Sequence, residues 1–335
     1  MANSEVIIRE ARLEDFDDFV EIGDVYEGKD YLIDHYHSYF NNPVIYPLVA
    51  EVGGKAVGFY MNQFIDGGRT LIKRAARVHP DYRGKGIFHL LSEALDRHRE
   101  QFWPQVEYEV FGTTNRADRA AKEFQEKGFV ELVRKRVLNL YVRIDELKGL
   151  DANTGDLSRV TNMTYDDVKL LFADNLVVNK LFPKGIIFNW FIGYMFLESN
   201  IGYLVGDNEF VLASTSSETP LPPGDSGDQK SGNFTPETIK HIDVISCAHK
   251  HTGVLGLSYE IDIYTADGYD ESMIKAHLIK HFRDFRESTK KDGITMITFN
   301  SNVKEEVVVG YLNELGIVDF IHRMETYNSF YKRKL

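Results

Sequence analysis

Residues 77–88 place the strongest constraint on how this chain folds. They read Arg-Val-His-Pro-Asp-Tyr-Arg-Gly-Lys-Gly-Ile-Phe. An apolar, strand-like run ends here, Pro80 breaks it, and two glycines precede Ile87–Arg99, whose apolar residues recur at helical spacing. A helix that follows a glycine turn leaves its first backbone N–H groups without partners. The stretch therefore predicts an α/β unit with an anion site at the start of the helix.

The residues of this turn suit a diphosphate group. A helix dipole is positive at its N-terminus, glycines let a ligand approach the backbone, and Arg83 and Lys85 add positive charge. Neither the dinucleotide pattern Gly-x-Gly-x-x-Gly nor the P-loop pattern is present in the turn. A glycine-rich turn on a basic surface is the alternative interpretation.

The segments around the turn predict a mixed sheet. Pro47–Val52, Ala56–Gln63 and Thr70–Val78 are apolar runs separated by glycine-containing turns, which is typical of a meander. Val106–Phe111 predicts a further strand, and Ala117–Glu126 predicts a helix. The order of elements indicates a fold that combines strands and helices throughout.

A similar pattern recurs later in the chain. Asn115 stands nine residues before Phe124, and Asn302 stands nine residues before Tyr311. Each pair is followed by a glycine and an apolar residue, and each is preceded by a strand candidate and an amphipathic helix candidate. This repeat predicts a duplicated fold. The alternative is coincidence between two ordinary α/β units.

The polar stretch Asp145–Leu157, which lies between the two patterns, predicts a linker and two domains, 1–145 and 158–335. Within the second domain, residues 214–237 are rich in Pro, Ser, Gly and Asp and predict a mobile loop. An insertion with no function of its own is the alternative for this loop.

Composition excludes several classes of function. The chain has 335 residues, of which 39 are Lys or Arg and 51 are Asp or Glu, so its net charge is −12. Phosphate neutralisation needs a basic surface, so we expect no nucleic-acid partner. The single cysteine excludes a disulfide framework. We find neither a signal-peptide pattern nor an apolar run long enough to span a bilayer, and we expect a cytoplasmic protein without membrane contact.

On these residues the first half resembles the GNAT N-acetyltransferases. The run 83–87 is similar to their acetyl-CoA motif, Arg/Gln-x-x-Gly-x-Gly/Ala, although Phe88 stands where a small residue is usual. The segment from Asn115 to Phe129 resembles their later helix, and the resemblance covers most of residues 5–143. It implies a GNAT fold, with a mixed, mostly antiparallel sheet flanked by helices. The second half resembles a degenerate GNAT copy without the motif.

The resemblance implies that acetyl-CoA is a cosubstrate bound by the first half. The backbone N–H groups of Arg77 and Val78 are expected to polarise the acetyl carbonyl. The residues expected to bind acetyl-CoA are Arg77, Val78, Arg83, Gly84, Lys85, Gly86, Ile87, Phe88 and Asn115. No metal is expected, because His35 and His37 would diverge on a helix.

A narrower resemblance concerns the acceptor. Residues 24–32 are similar to the substrate side of histidine N-acetyltransferase-like proteins, which implies that Tyr26, Asp30 and Tyr31 bind the acceptor. Arg74 is a further candidate, since a guanidinium binds a carboxylate through two hydrogen bonds. The alternatives are tyrosines that bury their rings in the core and an arginine that faces solvent.

Two positions depart from the family pattern. Phe124 stands where many GNAT enzymes have a tyrosine acid, and Arg74 stands where many have a glutamate base. Glu107 and Glu109 are the remaining carboxylate candidates for the base, and two residues apart on a strand they share one face. We prefer Glu109, and two exposed strand acids are the alternative. His79 is a third candidate for the base, or else a surface histidine.

These observations predict an acetyl-CoA-dependent N-acetyltransferase that acts on a small amine. The α-amine of a free amino acid, such as histidine, is the expected acceptor. Two alternatives stay open: a peptide or protein N-acetyltransferase, and an acyl-CoA-binding protein without catalysis. The sequence does not predict the oligomeric state.

Overall fold

The computed structural model describes residues 5–23, 28, 30–113, 116–151, 157–215, 233–321 and 327–335. In the first half the strands are β1 (Val6–Glu10), β2 (Ile45–Val52), β3 (Lys55–Ile65), β4 (Thr70–Val78), β5 (Tyr108–Thr113) and β6 (Val130–Val142). The helices of this half are α1 (Phe16–Ile22), α2 (Leu32–Tyr39), α3 (Ile87–Phe102) and α4 (Arg116–Glu126).

The second half repeats this layout with an added hairpin. Its strands are β7 (Val160–Met163), β8 (Ile187–Asn189), β9 (Ile192–Tyr194), β10 (Glu209–Thr215), β11 (Ile242–Gly253), β12 (Gly256–Thr265), β13 (Gly293–Phe299) and β14 (Tyr327–Lys334). Its helices are α5 (Tyr165–Ala173), α6 (Asn175–Leu181), α7 (Ser272–Ser288) and α8 (Glu305–Glu314). The hairpin consists of β8 and β9, which pair only with each other.

All other described strands form one twelve-stranded sheet. Their order is β1-β2-β3-β4-β5-β14-β6-β13-β12-β11-β10-β7. The last strand of each half therefore crosses to the other half: β14 pairs with β5, and β6 pairs with β13. The two exchanged strands also pair with each other at the centre of the sheet. This reciprocal exchange confirms the predicted duplication and joins both halves into one sheet.

Helices cover both faces of the sheet in the first half. Ile87, Leu91 and Leu95 of α3 lie one turn apart and bury one face of the helix against β2 and β3. Aromatic side chains of α1 and α2 pack on the opposite face, among them Phe19 and Tyr36. Apolar burial of this kind supplies most of the stability of an amphipathic helix.

The parallel strands β4 and β5 separate soon after they meet. They pair only at Thr70, Leu71 and Ile72, opposite 108–110. Beyond these pairs β4 remains bonded to β3, and β5 remains bonded to β14. A wedge-shaped gap therefore opens in the first half of the sheet, toward the C-terminal ends of β4 and β5.

The equivalent strands of the second half do not separate in this way. β12 and β13 are also parallel, but they stay paired from Leu257 to Ile263. Across this region the buried Lys135 forms an ion pair with Asp262, which also accepts a hydrogen bond from Thr298. The gap present in the first half is therefore closed by pairing and by a buried polar cluster in the second.

Several predicted elements are confirmed. The three-strand meander corresponds to β2, β3 and β4, and the predicted helix Ile87–Arg99 is α3, which continues to Phe102. Most of the predicted mobile loop, 214–237, lies outside the described residues. The division into 1–145 and 158–335 stays a prediction. No helix in the described part of the chain has the length and apolarity needed to cross a bilayer.

Candidate active site

A β-bulge lies in β4 beside the gap. Phe59 pairs with Arg77 and Met61 pairs with Arg74, so the single residue Tyr60 faces two residues of β4. Ala75, one of the two, has a φ of 63°, a conformation that side chains other than glycine rarely adopt. A β-bulge leaves one residue without a hydrogen-bonded partner in the sheet, and it often changes the direction of the backbone next to an active site. The strained backbone therefore makes this end of β4 a candidate functional position.

The start of α3 lies just beyond the end of β4. Gly84 and Gly86 have φ values of 75° and 77°, which glycine adopts without strain. A Cβ atom added at either position meets no atom within 4 Å. Gly86 is the N-cap and offers no side-chain hydrogen bond, and the first turn of the helix contains no acidic residue. The positive end of α3 is thus open to an anion.

The other residues expected at this turn have different environments. Arg83 is exposed and donates from Nε to the carbonyl of Val78 over 3.0 Å, while the Lys85 ammonium lies 4.6 Å from the centre of the Tyr82 ring. Phe88 is 51% exposed. Ile87 is buried in the α3 core, so only its backbone faces the turn.

Arg77 and Asp30 lie in the interior rather than in a substrate pocket. Their side chains form a two-bond ion pair, and each is 1% exposed. The guanidinium of Arg77 also lies 4.6 Å from the centre of the Phe19 ring. Asp30 was expected to bind the acceptor, and this is corrected, because both of its oxygens are already bonded inside the core. Arg77 can contribute to the site only through its backbone.

Arg74 and Tyr31 do meet at the mouth of the gap. Arg74 donates from Nε to the Tyr31 hydroxyl over 3.2 Å and from Nη1 to Oε1 of Gln63 over 2.9 Å. Its guanidinium carbon also lies 4.0 Å from the centre of the Trp190 ring. Trp190 stands in the turn between β8 and β9, where it and Phe191 have positive φ values of 51° and 60°. The second half therefore supplies one wall of this region.

A histidine–carboxylate pair lies behind Trp190. The His249 ring stacks on Trp190, with ring centres 4.2 Å apart and planes 17° apart. Its Nδ1 lies 2.8 Å from Oε1 of Glu209. Burial lowers the pKa of His249 and raises the pKa of Glu209. No local motif indicates these residues, because strands far apart along the chain bring them to the Trp190 side of Arg74.

The two candidate bases do not lie beside the bulge. Glu109 faces Leu71, where β4 and β5 are still paired, and a strand needs about 13 Å to run from that position to the bulge at Ala75. Glu109 forms an ion pair with Arg333, and Glu107 forms one with Arg69. The Arg69 hydrogen bond lowers the pKa of Glu107. Both position and pairing weigh against their predicted role.

The remaining predicted residues fall into two groups. Tyr26 and Asn115 lie outside the residues that the structure describes. Phe124 packs into an aromatic cluster, with ring centres 4.9 Å from Phe111 and 5.1 Å from Tyr331. That this position supplies no proton donor stays a prediction.

The second half offers no comparable anion site at the start of α7. Asp270 accepts a hydrogen bond from the backbone N–H of Ser272 over 3.0 Å, and Glu271 is the N-cap residue. Carboxylates at this end of a helix occupy its N–H groups and repel phosphate. The start of α3 and the start of α7 thus have opposite charge.

Comparison with known proteins agrees with this geometry. Residues 43–131, which contain β2 to β5 and α3, match the family described as acetyltransferase (GNAT) domain. Histidine N-acetyltransferase of Scomber australasicus is 27% identical over 175 residues, covering 50% of this chain and 50% of the relative. Its counterpart in Oreochromis niloticus is 25% identical over 205 residues, covering 57% and 60%. The chain thus spans about half the length of the curated relatives it matches.

Solved structures share the fold across both halves. A tandem GNAT protein from the clavulanic acid biosynthesis pathway superposes with a TM-score of 0.56 at 10% identity, covering 98% of each chain. A GCN5-related N-acetyltransferase from Sphaerobacter thermophilus gives 0.52 at 9% identity, covering 98% and 95%. Residues 43–131 therefore match a GNAT acetyltransferase domain, and the two halves together have the fold of tandem GNAT proteins.

Proposed function

We propose that this chain is an acetyl-CoA-dependent N-acetyltransferase that acetylates the α-amine of a free amino acid, with histidine as the favoured acceptor. The observation that carries the proposal is the gap between β4 and β5, which opens beside the bulge at Ala75 and faces the uncovered start of α3. A pantetheine arm fits such a gap between strands, and its diphosphate fits a helix N-terminus.

The first half alone is proposed to bind acetyl-CoA. The backbone N–H groups at the start of α3 would bind the diphosphate, and Arg83 and Lys85 would add charge. Gly84 and Gly86 keep this surface free of side chains. In the second half, the paired strands β12 and β13 and the carboxylates before α7 oppose binding of the same ligand.

The acceptor is proposed to bind between the bulge and the second half. Arg74 uses Nε and Nη1 within the protein, and its Nη2 is the donor best suited to a substrate carboxylate. Tyr31 supports Arg74, and Trp190 covers the guanidinium. This arrangement favours a small acceptor with a free carboxylate over a peptide chain.

The reaction joins the acceptor nitrogen to the acetyl carbon and breaks the carbon–sulfur bond of the thioester. The amine must be neutral to attack, although amines are largely protonated near pH 7. As the carbonyl oxygen gains charge, backbone N–H groups between the bulge and Val78 would stabilise it. The amine nitrogen releases its proton to water, and CoA leaves as a thiolate that takes up a proton to become the thiol.

The test is CoA release from acetyl-CoA, measured by mass spectrometry with free amino acids, short peptides and a control without acceptor. We expect release with one or a few amino acids, histidine among them, and none above the control with peptides. Release with peptides alone contradicts the amino-acid assignment. Binding of acetyl-CoA without release on any amine indicates a binding protein instead.

The role of Arg74 is tested with a matched pair of acceptors, histidine and histidinamide. Replacing Arg74 by Met should lower kcat/KM for histidine by about 10- to 100-fold, because a charged hydrogen bond to the carboxylate is lost. Histidinamide has no carboxylate, and its kcat/KM should change little. Equal losses for both acceptors would show that Arg74 does not contact the carboxylate.

A further inference from the structure

The pair formed by Glu209 and His249 has a free hydrogen-bonding atom in a buried setting. His249 is 1% exposed, and its Nδ1 is bonded to the Glu209 carboxylate. A neutral imidazole bonded this way donates from Nδ1 and keeps a lone pair on Nε2. Among the described residues, that Nε2 atom has no hydrogen-bond partner. Leaving a buried polar atom without a partner is costly, which points to a ligand atom that bonds it.

Flat side chains surround this atom. Trp190 stacks on His249, and the His35 ring centre lies 5.5 Å from that of His249 and 5.4 Å from that of Trp190. The Nε2 atom of His35 is also buried and has no partner among the described residues. Burial lowers the pKa of His35, which favours its neutral form. The region thus combines ring faces with neutral nitrogen atoms.

The pair lies on the far side of Trp190 from Arg74. The Arg74 guanidinium lies 4.0 Å from the Trp190 ring centre, and Trp190 lies 4.2 Å from His249 on ring centres. Two contact layers therefore separate His249 from the residue proposed to bind the acceptor carboxylate. An acceptor whose carboxylate binds Arg74 would have to pass the edge of the Trp190 ring for its side chain to reach His249, while its amine stays near the bulge. This placement suits recognition of the side chain rather than proton transfer at the amine.

We propose that the second half determines acceptor specificity: the Glu209–His249 pair accepts, through Nε2 of His249, a hydrogen bond from an N–H donor on a flat acceptor side chain, and an imidazole ring is the favoured group. The inference rests on the proposed function. It assigns the second half a direct part in substrate recognition, although that half lacks an anion site of its own.

The experiment compares histidine with phenylalanine, a flat acceptor that has no donor. The variant His249→Phe keeps a ring but removes the nitrogen lone pair. We expect kcat/KM for histidine to fall by about 10- to 100-fold, mainly through KM, because the imidazole N–H loses its partner. The value for phenylalanine should stay the same or rise. Glu209→Gln, which changes the partner of Nδ1, should shift the preference in the same direction by a smaller factor.

The controls separate this inference from folding and from the proposed function. His241→Phe makes the same substitution at an exposed position and should leave both acceptors unaffected. The His249→Phe variant should have the acetyl-CoA affinity, measured by calorimetry, and the thermal unfolding midpoint of the wild type. EDTA is added to every assay to remove trace metal ions.

The outcomes distinguish a failure of the proposed function from a failure of the inference alone. A wild type that acetylates no amino acid overturns both the proposed function and this inference. An active wild type whose ratio of histidine to phenylalanine kcat/KM is unchanged by His249→Phe overturns the inference alone. A fall in kcat with unchanged KM for both acceptors also overturns it, since that result assigns His249 to the chemical step.

Discussion

Arg77 and Asp30 form a buried ion pair two residues beyond the bulge, with Nη1 to Oδ2 at 2.6 Å and Nη2 to Oδ1 at 3.1 Å. Asp30 also accepts a hydrogen bond over 3.0 Å from the backbone N–H of Leu32, the first residue of α2. The pair thus holds the start of α2 against the end of β4. The ion pair thereby holds in place the segment at the start of α2 that contains Tyr31 and His35.

Breaking this pair should destabilise the fold strongly. Replacing Asp30 by Ala leaves a buried guanidinium without a partner, and we expect a loss of about 3–5 kcal/mol in the free energy of unfolding in urea. The double variant Asp30→Leu with Arg77→Met removes both charges and should lose less than the single variant. An Asp30→Ala protein as stable as the wild type would contradict the buried pair.

The anion site at α3 is tested by charge reversal. Replacing Arg83 or Lys85 by Glu should each weaken acetyl-CoA binding by about tenfold, measured by calorimetry, because a favourable charge next to the diphosphate becomes repulsive. Lys290→Glu makes the same change on an exposed residue after α7 and should leave the affinity unchanged. If all three variants bind alike, the diphosphate lies elsewhere.

We expect Glu109 to have a structural role and not to act as the general base. Replacing it by Gln weakens the ion pair with Arg333 and should change kcat by less than tenfold, whereas losing a general base costs about 10²- to 10⁴-fold. The measurement is kcat at saturating acetyl-CoA and acceptor. A fall of a hundredfold or more, with acetyl-CoA affinity retained, would restore the predicted role.

A buried chain of hydrogen bonds predicts sensitivity to acid. The Ser214 hydroxyl lies 3.0 Å from His277, Ser246 lies 2.7 Å from both His277 and His281, and His281 lies 3.2 Å from the Tyr259 hydroxyl. Burial lowers the pKa of His281 to about 3 and the pKa of His277 well below its usual value. Both histidines are therefore neutral in the folded protein at mildly acidic pH.

The sign of the pH effect follows from these pKa shifts. Below pH 6.5 the unfolded chain takes up protons on both histidines while the folded chain does not, so stability falls as the pH drops from 6.5 toward 3. In urea unfolding, His281→Gln should lose about 1.4 kcal/mol less than the wild type between pH 7.5 and pH 5.5. Equal losses in both proteins would contradict a neutral His281.

Local patterns predicted much of the first half. The glycine turn, the meander and α3 each depend on residues that are close together along the chain. Their positions can therefore be predicted from residues 77–88 and the neighbouring segments. The repeat around Asn302 and Tyr311 predicted the duplication for the same reason. These features depend on the periodicity of apolar residues and on the residue types in turns, and both can be read from a short segment of sequence.

Features that depend on distant contacts were not predicted. The exchange of β6 and β14 is a choice between partner strands, and neither strand's own pattern specifies it. The resemblance of residues 24–32 implies an acceptor role for Asp30, and its ion pair with Arg77, 47 positions away, is a contact that no short segment contains. Trp190 contacts Arg74, and His249 contacts Trp190, only once the sheet has formed, so no local motif indicates their part in the site.

Acetyl transfer to the α-amine of histidine is tested by identifying the product. The wild type is incubated with acetyl-CoA and histidine, and the products are analysed by tandem mass spectrometry and NMR. We expect Nα-acetylhistidine and free CoA in equal amounts. Intact acetyl-CoA after incubation with a folded protein that binds it, or an acetyl group on the imidazole, would contradict acetyl transfer to the α-amine.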